Sequence, residues 1–245
     1  MTESRYNRQI LVDGVGDDGQ RRIRAARVAV VGSGALGCAV ATQLVRGGIG
    51  YLKLIDPDVP EISNLQRQVL IDEEDVRKLT PKALAAAQKL RASNSEVEVD
   101  ALVDRLDDRN AAELLGGVDL VLDGTDNFAA RYAINRACVD SGTPFVFGGV
   151  LAASGMSFAV LPGGPCLHCT LGPEPPVGSV PTTSERGVLC AIVQTIAAVE
   201  VVRAMKLIIG HEVPPDLYVI DLWDETQRVV HVDRDSDCPV CAKRV

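Results

Sequence analysis

The sequence predicts an α/β fold, in which a mostly parallel sheet carries helices on both faces and continues into mixed or antiparallel strands toward the C-terminus. The first observation is an apolar, β-branched strand at residues 27–31, followed by the turn 32–37 (Gly-Ser-Gly-Ala-Leu-Gly). The second is the alternation of strand-like runs with helical periodicity over residues 51–149. The third is two Cys-x-x-Cys motifs in the last third of the chain, which predict a zinc staple. Together they indicate a Rossmann-like fold.

Length and composition suit a single folded domain, residues 1–245, with a nucleotide-binding part of about residues 1–150 and a second part of about 151–245. Hydrophobic residues make up 47% and charged residues 24%, enough to build a core. The net charge of −8 excludes a general nucleic-acid binder. The first eight residues lack a signal-peptide apolar run, and segment 190–210 is too polar to span a bilayer, so we predict a cytoplasmic protein without membrane contact.

The first strand, turn and helix form a nucleotide-binding fingerprint. Gly32, Gly34 and Gly37 permit a tight turn into a helix over residues 38–47. The next strand ends at Asp56, where such folds place the carboxylate that holds the ribose hydroxyls. The alternative is a turn that only allows close helix–strand packing. A Walker-type loop is absent from the sequence. The glycine pattern does not determine which nucleotide binds.

Further elements follow in alternation. The predicted helices and strands are, in turn, helices at 81–92, 110–115, 127–141 and 189–209, and strands at 97–103, 118–122, 144–149, 157–161 and 217–221. In such a sheet the catalytic side is the carboxyl edge of the parallel strands. The segment 172–187, rich in Pro, Gly, Ser and Thr, is predicted to be an exposed loop with a function.

Polar residues after Asp56 predict a site that handles phosphates rather than hydride, because developing negative charge requires donors and cations close by. The candidates are Ser63, Asn64, Arg67, Gln68 and Lys82. A solvated polar loop is the alternative, and it is favoured for Arg67 or Lys82 taken singly.

A further acidic residue, Asp126, follows the predicted strand 118–122. Its carboxylate suits Mg²⁺, bound directly or through water. The alternative is that Asp126 or Asn127 only caps the next helix.

The seven cysteines divide into two classes. Four predict a closed tetrahedral zinc site, with a redox pair or an iron–sulfur cluster as weaker alternatives: Cys166, Cys169, Cys238 and Cys241. The apolar neighbours of Cys190 favour a buried thiol over a nucleophile, and Cys38 and Cys138 are predicted to be helical core residues.

The motifs that recur together are residues 5–11 (Arg-Tyr-Asn-Arg-Gln-Ile-Leu), 32–37, 63–68 (Ser-Asn-Leu-Gln-Arg-Gln), 81–83 (Pro-Lys-Ala), 123–127 (Asp-Gly-Thr-Asp-Asn) and the two cysteine pairs. With them the chain resembles the MoeB/ThiF/HesA family, bacterial relatives of ubiquitin-activating enzymes. The resemblance implies ATP-dependent adenylylation of the C-terminal glycine carboxylate of a small ubiquitin-like sulfur carrier, similar to MoaD or ThiS and ending in Gly-Gly. Pyrophosphate is the implied product.

The resemblance also implies roles for individual residues. The implied catalytic set is Arg8, Asn64, Arg67, Lys82 and Asp126. The implied nucleotide-contacting set is Gly32, Gly34, Ala35, Asp56, Ser63, Asn64, Gln68, Lys82, Asp126 and Asn127. Arg8 is implied to reach the triphosphate of the opposite subunit, so a homodimer with composite sites is expected.

Two positions depart from the family pattern. Ala35 stands where another glycine is usual, which is tolerable at a negative φ. Thr183 stands where relatives often carry a loop cysteine, so we expect the chain to stop at the adenylate and a separate protein to supply sulfur. The residues after Asp56 argue against the alternative of an NAD-dependent oxidoreductase. Because every polar residue expected from the resemblance is present, a non-catalytic carrier-binding scaffold is also disfavoured. The pathway, molybdopterin or thiamin foremost, is left open.

Overall fold

The computed structural model describes residues 5–176 and 178–242, and its core is one eight-stranded sheet. The strands are β1 (Arg27–Val31), β2 (Tyr51–Ile55), β3 (Glu98–Leu102), β4 (Leu120–Asp123), β5 (Phe145–Leu151), β6 (Ser154–Val160), β7 (Asp216–Asp221) and β8 (Thr226–His231). Their spatial order is β3-β2-β1-β4-β5-β6-β7-β8, with the first five parallel and the last three antiparallel. The predicted fold class is confirmed.

The helices are α1 (Asn7–Ile10), α2 (Gly16–Ala25), α3 (Ala35–Gly47), α4 (Glu73–Lys78), α5 (Lys82–Ser93), α6 (Ala111–Leu114), α7 (Phe128–Ser141), α8 (Leu167–Leu171), α9 (Thr183–Arg186) and α10 (Cys190–Ile209), with a 3₁₀ turn at Ile62–Asn64. In the described part of the chain, no helix has the length and apolar character needed to cross a bilayer.

Strand residues alternate between two apolar layers, as the period of two requires. Val28 and Val30 of β1 face a layer built with α2, α3, α5 and α10. Ala29 and Val31 face a second layer built with α6, α7, α8 and the paired cysteines. The chain continues from β1 to β2 on one side of β1 and returns from β3 to β4 on its other side. This reversal of strand order opens a crevice at the carboxyl ends of β1 and β4.

The elements predicted from periodicity are present within a few residues of their expected ends. Segment 172–187 is not a loop throughout, since α9 occupies Thr183–Arg186 and begins with a capping box between Thr182 and Glu185. Val177 in this segment, like residues 1–4 and 243–245, lies outside the described residues.

Six elements were not predicted from the sequence: α1, α2, α4, α8, α9 and β8. Two glycines and many charges hide the apolar stripe of α2, and α4 and α8 are short. Every residue of β8 is exposed, so it carries no alternating pattern. Because α1 and α9 have only four residues each, weak local signals explain all six omissions.

Glu200 of α10 is fully buried, and neither of its carboxylate oxygens has a hydrogen-bond partner in the described chain. It lies against Gly148 of β5, where a Cβ would sit 1.9 Å from Glu200 Oε1. Burial raises the pKa of Glu200 well above its ordinary value; Asp123 raises it further, while Arg131 and Arg203 oppose the shift. The neutral acid is therefore the form that the native state favours.

We expect Glu200→Gln to flatten the dependence of stability on pH. Because the folded-state pKa is raised, the stability that the protonated acid contributes is complete below its unfolded pKa and is lost as pH rises through the folded one. The variant should melt at least about 2 °C above wild type at pH 8, the shift that 1 kcal/mol gives a domain of this size. Melting curves from pH 5 to pH 8 test this, and parallel curves for the two proteins would contradict it.

Candidate active site

Three glycines bring the end of β1 against the end of β4. Gly32 has φ +91°, in the left-handed region that favours glycine. A Cβ on Gly37 would lie 1.8 Å from the Gly32 carbonyl oxygen, and a Cβ on Gly124 would lie 2.5 Å from the same oxygen. These backbone contacts leave no room for side chains, so the turn from β1 to α3 requires all three glycines.

Two other positions of the turn, Gly34 and Ala35, are not confined by backbone contacts in this way. Gly34 has φ −76°, and a Cβ there would meet only the Gly124 carbonyl oxygen, at an ordinary 3.8 Å. Ala35 begins α3 and is not among the residues with positive φ, so its methyl group is accommodated as expected. Gly34 is therefore unnecessary for the fold, and its lack of a side chain leaves space for a ligand at the helix N-terminus.

This contrast separates binding from folding experimentally. Gly34→Ala should keep the melting temperature within about 2 °C but weaken ATP binding by about tenfold or more, since one methyl group blocks backbone approach to the phosphates. Gly37→Ala should unfold the protein or lower its melting temperature strongly. Calorimetric ATP titration and melting curves measure both effects. Equal ATP affinity in Gly34→Ala and wild type would contradict the placement of the nucleotide.

Asp56 lies at the carboxyl end of β2, buried beside the turn. Its Oδ2 accepts the Ser33 amide at 2.5 Å and its Oδ1 accepts the Asp58 amide at 2.8 Å. Burial raises the pKa of Asp56, while these amides and Lys82 oppose the shift. Each carboxylate oxygen keeps a further lone pair, so the group can still accept the two ribose hydroxyls.

Lys82 is the first residue of α5 and joins the same cluster. Its Nζ lies 3.4 Å from Asp58 Oδ2, and its side chain is only 12% exposed. Its backbone amide donates to the Asp58 carbonyl at 2.9 Å. The Lys82 ammonium also opposes the raised pKa of Asp56, so the two groups belong to one cluster beside the glycine turn.

The 3₁₀ turn and the residues after it carry the remaining donors. Asn64 is buried, and its carbonyl oxygen accepts the Glu61 amide at 3.1 Å, so it also caps this turn. Arg67 is half-buried and donates to the Ser63 carbonyl at 2.8 Å, and Ser63 itself is exposed. Buried Gln68 keeps its Oε1 without a partner among the described residues. Arg67 and Gln68 thus retain polar capacity for a ligand.

Asp126 follows the β4–glycine contact and is exposed. It forms no hydrogen bond or ion pair within residues 5–176 and 178–242, which leaves a hard oxygen donor of the kind Mg²⁺ prefers. Asn127 is the N-cap of α7, and its side chain accepts the Ala130 amide at 2.9 Å. The capping alternative therefore holds for Asn127, and Asp126 has no such role.

Arg8 lies apart from this cluster. It is exposed on α1, where the neighbouring Gln9 donates to the Gly47 carbonyl at the last residue of α3. The glycine turn is at the opposite end of α3, and a 13-residue helix spans about 20 Å. The structure therefore brings together Asp56, Lys82 and the glycine turn but does not bring Arg8 to them within one chain.

The paired cysteines form one compact cluster. Their sulfur atoms lie within 4.8 Å of one another, with Cys166 3.7 Å from Cys238 and Cys169 3.5 Å from Cys241. A tetrahedral zinc ion with Zn–S bonds of about 2.3 Å separates its sulfurs by about 3.8 Å. The donor set and spacing thus fit a four-thiolate metal site that can hold zinc.

The chain matches the ThiF family over residues 6–240. It belongs to the ThiF family. It is 40% identical over 244 residues to the sulfur carrier protein ThiS adenylyltransferase of Bacillus subtilis, covering 98% of this chain and 72% of that protein. It is 39% identical over 241 residues to the SAMP-activating enzyme E1 of Haloferax volcanii, covering 98% and 88%.

The fold of this ThiF-family chain also matches a solved structure, that of Escherichia coli MccB with AMPCPP and MccA. The TM-score is 0.85 at 23% identity, over 98% of this chain and 75% of the MccB chain. The resemblance stated from the sequence motifs is confirmed. The relatives' names favour an adenylyltransferase over the oxidoreductase that the glycine turn alone left open.

Thr183 lies within segment 172–187 of this ThiF-family chain, and Cys190 follows shortly after it. Thr183, the first residue of α9, is half-buried and offers a hydroxyl group. Cys190 begins α10 and is half-buried, so the prediction of a buried thiol was wrong. The first turn of α10 lies at the surface, as Leu189 and exposed Ala191 show.

The other unpaired cysteines of this ThiF-family chain are buried as predicted. Burial raises the pKa of the Cys38 thiol to about 12, and that of Cys138 also to about 12. Both therefore stay protonated and unreactive near neutral pH.

Arg131 was not among the predicted site residues, and it lies buried beside the Asp126 loop. The available signal was an arginine at helical spacing from Ile134 and Cys138, on the face of α7 that packs into the core.

Proposed function

We propose that this protein uses ATP and Mg²⁺ to adenylylate the C-terminal glycine carboxylate of a small ubiquitin-like sulfur carrier that ends in Gly-Gly. The observation that carries the proposal is the cluster of Asp56, Lys82 and the glycine turn beside the free carboxylate of Asp126. Family membership and the names of the relatives support the same chemistry. A carboxylate is a poor acyl donor, and the adenylate supplies the leaving group that later sulfur transfer needs.

The reaction is an in-line displacement. A carrier carboxylate oxygen attacks the α-phosphorus, the new O–P bond forms, and the bond to the bridging oxygen breaks, so its electron pair leaves with pyrophosphate. No proton moves, because the glycine carboxylate is ionised near neutral pH. Asp56 holds the ribose, and Asn64, Arg67 and Lys82 stabilise charge on the phosphates. Asp126 would hold Mg²⁺, which neutralises phosphate charge when bound.

The position of Arg8 supports a homodimer with composite sites. Arg8 lies about one helix length from its own glycine turn, so in this proposal it serves the triphosphate of a second copy. Exposed apolar side chains between β2 and the first turns of α5 offer a contact surface: Val59, Ile62, Val69, Leu79 and Leu84.

A mixing experiment tests the composite site. Arg8→Ala and Lys82→Ala homodimers should each be inactive, whereas mixed subunits should regain up to about a quarter of wild-type activity, because half of the dimers are mixed and each has one intact site. Activity after mixing at subunit exchange equilibrium is the measurement. Two inactive parents that give an inactive mixture would contradict a composite site.

We assign the carrier and the zinc site to residues of about 151–245. Segment 172–187 is held at its start by Tyr132, whose hydroxyl donates to the Gly172 carbonyl at 2.6 Å. Just after the segment ends, the backbone amide of Leu189 donates to the Ala152 carbonyl at 2.9 Å, at the turn between β5 and β6. A cavity of about 460 Å³ opens there, between Ala152, Gly187 and Trp223. It lies on the carboxyl edge of β5, one strand from Asp123, where an extended carrier tail would approach the nucleotide.

The proposal ends at the adenylate. Thr183 supplies no thiol, so sulfur comes from a separate donor protein. A zinc ion held by the four cysteines would join the C-terminal segment to α8 and would take no part in the reaction, because four protein ligands leave no open position for water. Molybdopterin or thiamin biosynthesis is the proposed destination of the sulfur.

ATP–pyrophosphate exchange with a panel of purified Gly-Gly-ending carriers tests this function. Exchange with one carrier, lost in Arg67→Ala and Asp126→Ala, is the expected result, and that carrier identifies the pathway. Mg-ATP should also raise the melting temperature more than NAD does. A folded dimer that exchanges with no carrier and is not stabilised by Mg-ATP would contradict the proposal and favour a scaffold.

A further inference from the structure

Arg131 of α7 bridges the end of β4 and the loop that carries Asp126. Its Nε donates to Asp123 Oδ2 at 3.0 Å, and its Nη2 donates to the Thr125 carbonyl at 2.7 Å. Asp123 also accepts, through Oδ1, the Thr125 amide at 2.8 Å and the Thr125 hydroxyl at 2.7 Å. Thr125 is therefore fixed on its amide, hydroxyl and carbonyl by one ion pair.

This ion pair is buried against aromatic rings. Asp123 has no exposed surface, and Arg131 is 8% exposed. The guanidinium group lies 5.3 Å from the ring centroids of both Phe128 and Phe147. Cation–π contact on planar rings adds to the pairing and restricts the orientation of the guanidinium.

The residue that this arrangement presents is Asp126. Its backbone follows directly from Thr125, and on its other side Asn127 is fixed as the N-cap of α7. The Asp126 side chain itself has no hydrogen bond or ion pair in the described ranges. The loop is thus held on both sides of a carboxylate that is left free.

We propose that Arg131 is a positioning residue, which acts through Asp123 and Thr125 to hold the Asp126 carboxylate ready for Mg-ATP. The role of Asp126 rests on the proposed function, whereas the constraint on the loop does not. An arginine is required because its planar fork donates to two acceptors in fixed directions, which the single ammonium of lysine cannot reproduce. Residues that orient a ligand of a metal typically change metal affinity or activity by about 10- to 100-fold when altered.

Arg131→Lys tests the proposal, with Arg109→Lys as a matched control. Arg109 pairs with Asp107 on the surface, where its side chain is 89% exposed, and it makes no contact with Asp123, Thr125 or Asp126 among the described residues. The first measurement is amide hydrogen exchange without nucleotide. Peptides that cover residues 124–127 should exchange about tenfold faster in Arg131→Lys, while peptides of α10 should be unchanged. Arg109→Lys should match wild type throughout.

The second measurement is ATP–pyrophosphate exchange against free Mg²⁺. The half-saturating Mg²⁺ concentration should rise by about tenfold in Arg131→Lys, with the KM for the carrier unchanged. When combined with Asp126→Asn, Arg131→Lys should cause little further loss, because both changes affect one carboxylate. Additive losses, or an unchanged Mg²⁺ requirement, would overturn the proposal.

Hydrogen exchange separates the two possible failures. If wild type exchanges pyrophosphate with no carrier, the proposed function fails, but faster exchange confined to residues 124–127 still supports the constraint by Arg131. Unchanged exchange there, or equal acceleration in every peptide, overturns the role of Arg131 whatever the activity. If Arg131→Lys does not fold, Asp123→Asn combined with Arg131→Gln leaves no unpaired buried charge and takes its place in both measurements.

Discussion

Replacing Lys82 with alanine is expected to lower the kcat of ATP–pyrophosphate exchange by about 100- to 1,000-fold, with a smaller change in carrier KM. The reason is that its ammonium, held 3.4 Å from Asp58 Oδ2, would stabilise the charge that grows on the phosphates in the proposed reaction. A contact made mainly in the transition state affects kcat more than substrate binding.

Lys89→Ala is the matched control for this prediction. Lys89 lies two turns along the same helix and pairs with Asp72 and Asp75, outside the glycine-turn cluster. Its loss removes an equal charge from α5 but no donor from the site, so activity should fall by less than about threefold. Equal losses in Lys82→Ala and Lys89→Ala would mean that the charge of α5, rather than the placement of Lys82, supports the reaction.

Removing the metal from the four-cysteine site is expected to unfold the C-terminal segment and to lower the melting temperature by about 10 °C or more. Structural zinc in small peptides contributes apparent free energies of about 10 to 16 kcal/mol, and a larger domain retains part of this as stability. The site ties together chain segments that are 72 residues apart, from Cys166 to Cys238. Within the second apolar layer, both cysteines pack with α7 and α8, so their release also opens that layer.

Chelation and Cys238→Ser should act alike, and metal analysis should give one zinc per chain. Cys190→Ser is the control, since Cys190 lies outside the cluster and is half-buried at the start of α10. A metal-free protein whose melting curve matches that of the metal-bound protein would remove the structural role. A Cys190→Ser variant as unstable as Cys238→Ser would mean that any thiol loss is destabilising here.

Several features of the fold could be predicted because they depend only on residues that are close together in the sequence. The turn from β1 into α3 needs glycines at fixed spacing, and Gly32 at φ +91° and Gly37 against its carbonyl show why. The Cys-x-x-Cys spacing predicted the cluster at Cys166 and Cys169 for a similar reason, since it brings two sulfurs to one side of a short turn. Neither inference depends on distant parts of the chain.

Other features had no local signature. Cys190 is half-buried because the first turn of α10 lies at the surface, although its neighbours in sequence are apolar. The predicted loop at 172–187 includes α9 because a capping box outweighs its Pro- and Gly-rich composition. Elements such as β8, exposed along its whole length, are held by pairing with β7 rather than by burial.

The order of residues was enough to establish the α/β alternation, the nucleotide fingerprint ending at Asp56 and the four-thiol cluster, because backbone geometry and ligand spacing act over a few residues. Only the tertiary structure showed that Arg131 donates hydrogen bonds to Asp123 and Thr125. It also showed that the buried Glu200 carboxyl has no hydrogen-bond partner among the described residues, and that Arg8 lies a helix length from its own glycine turn. These properties depend on burial and on contacts between distant segments. Desolvation and charge pairing are set by what surrounds a side chain in space, which spacing along the sequence does not encode.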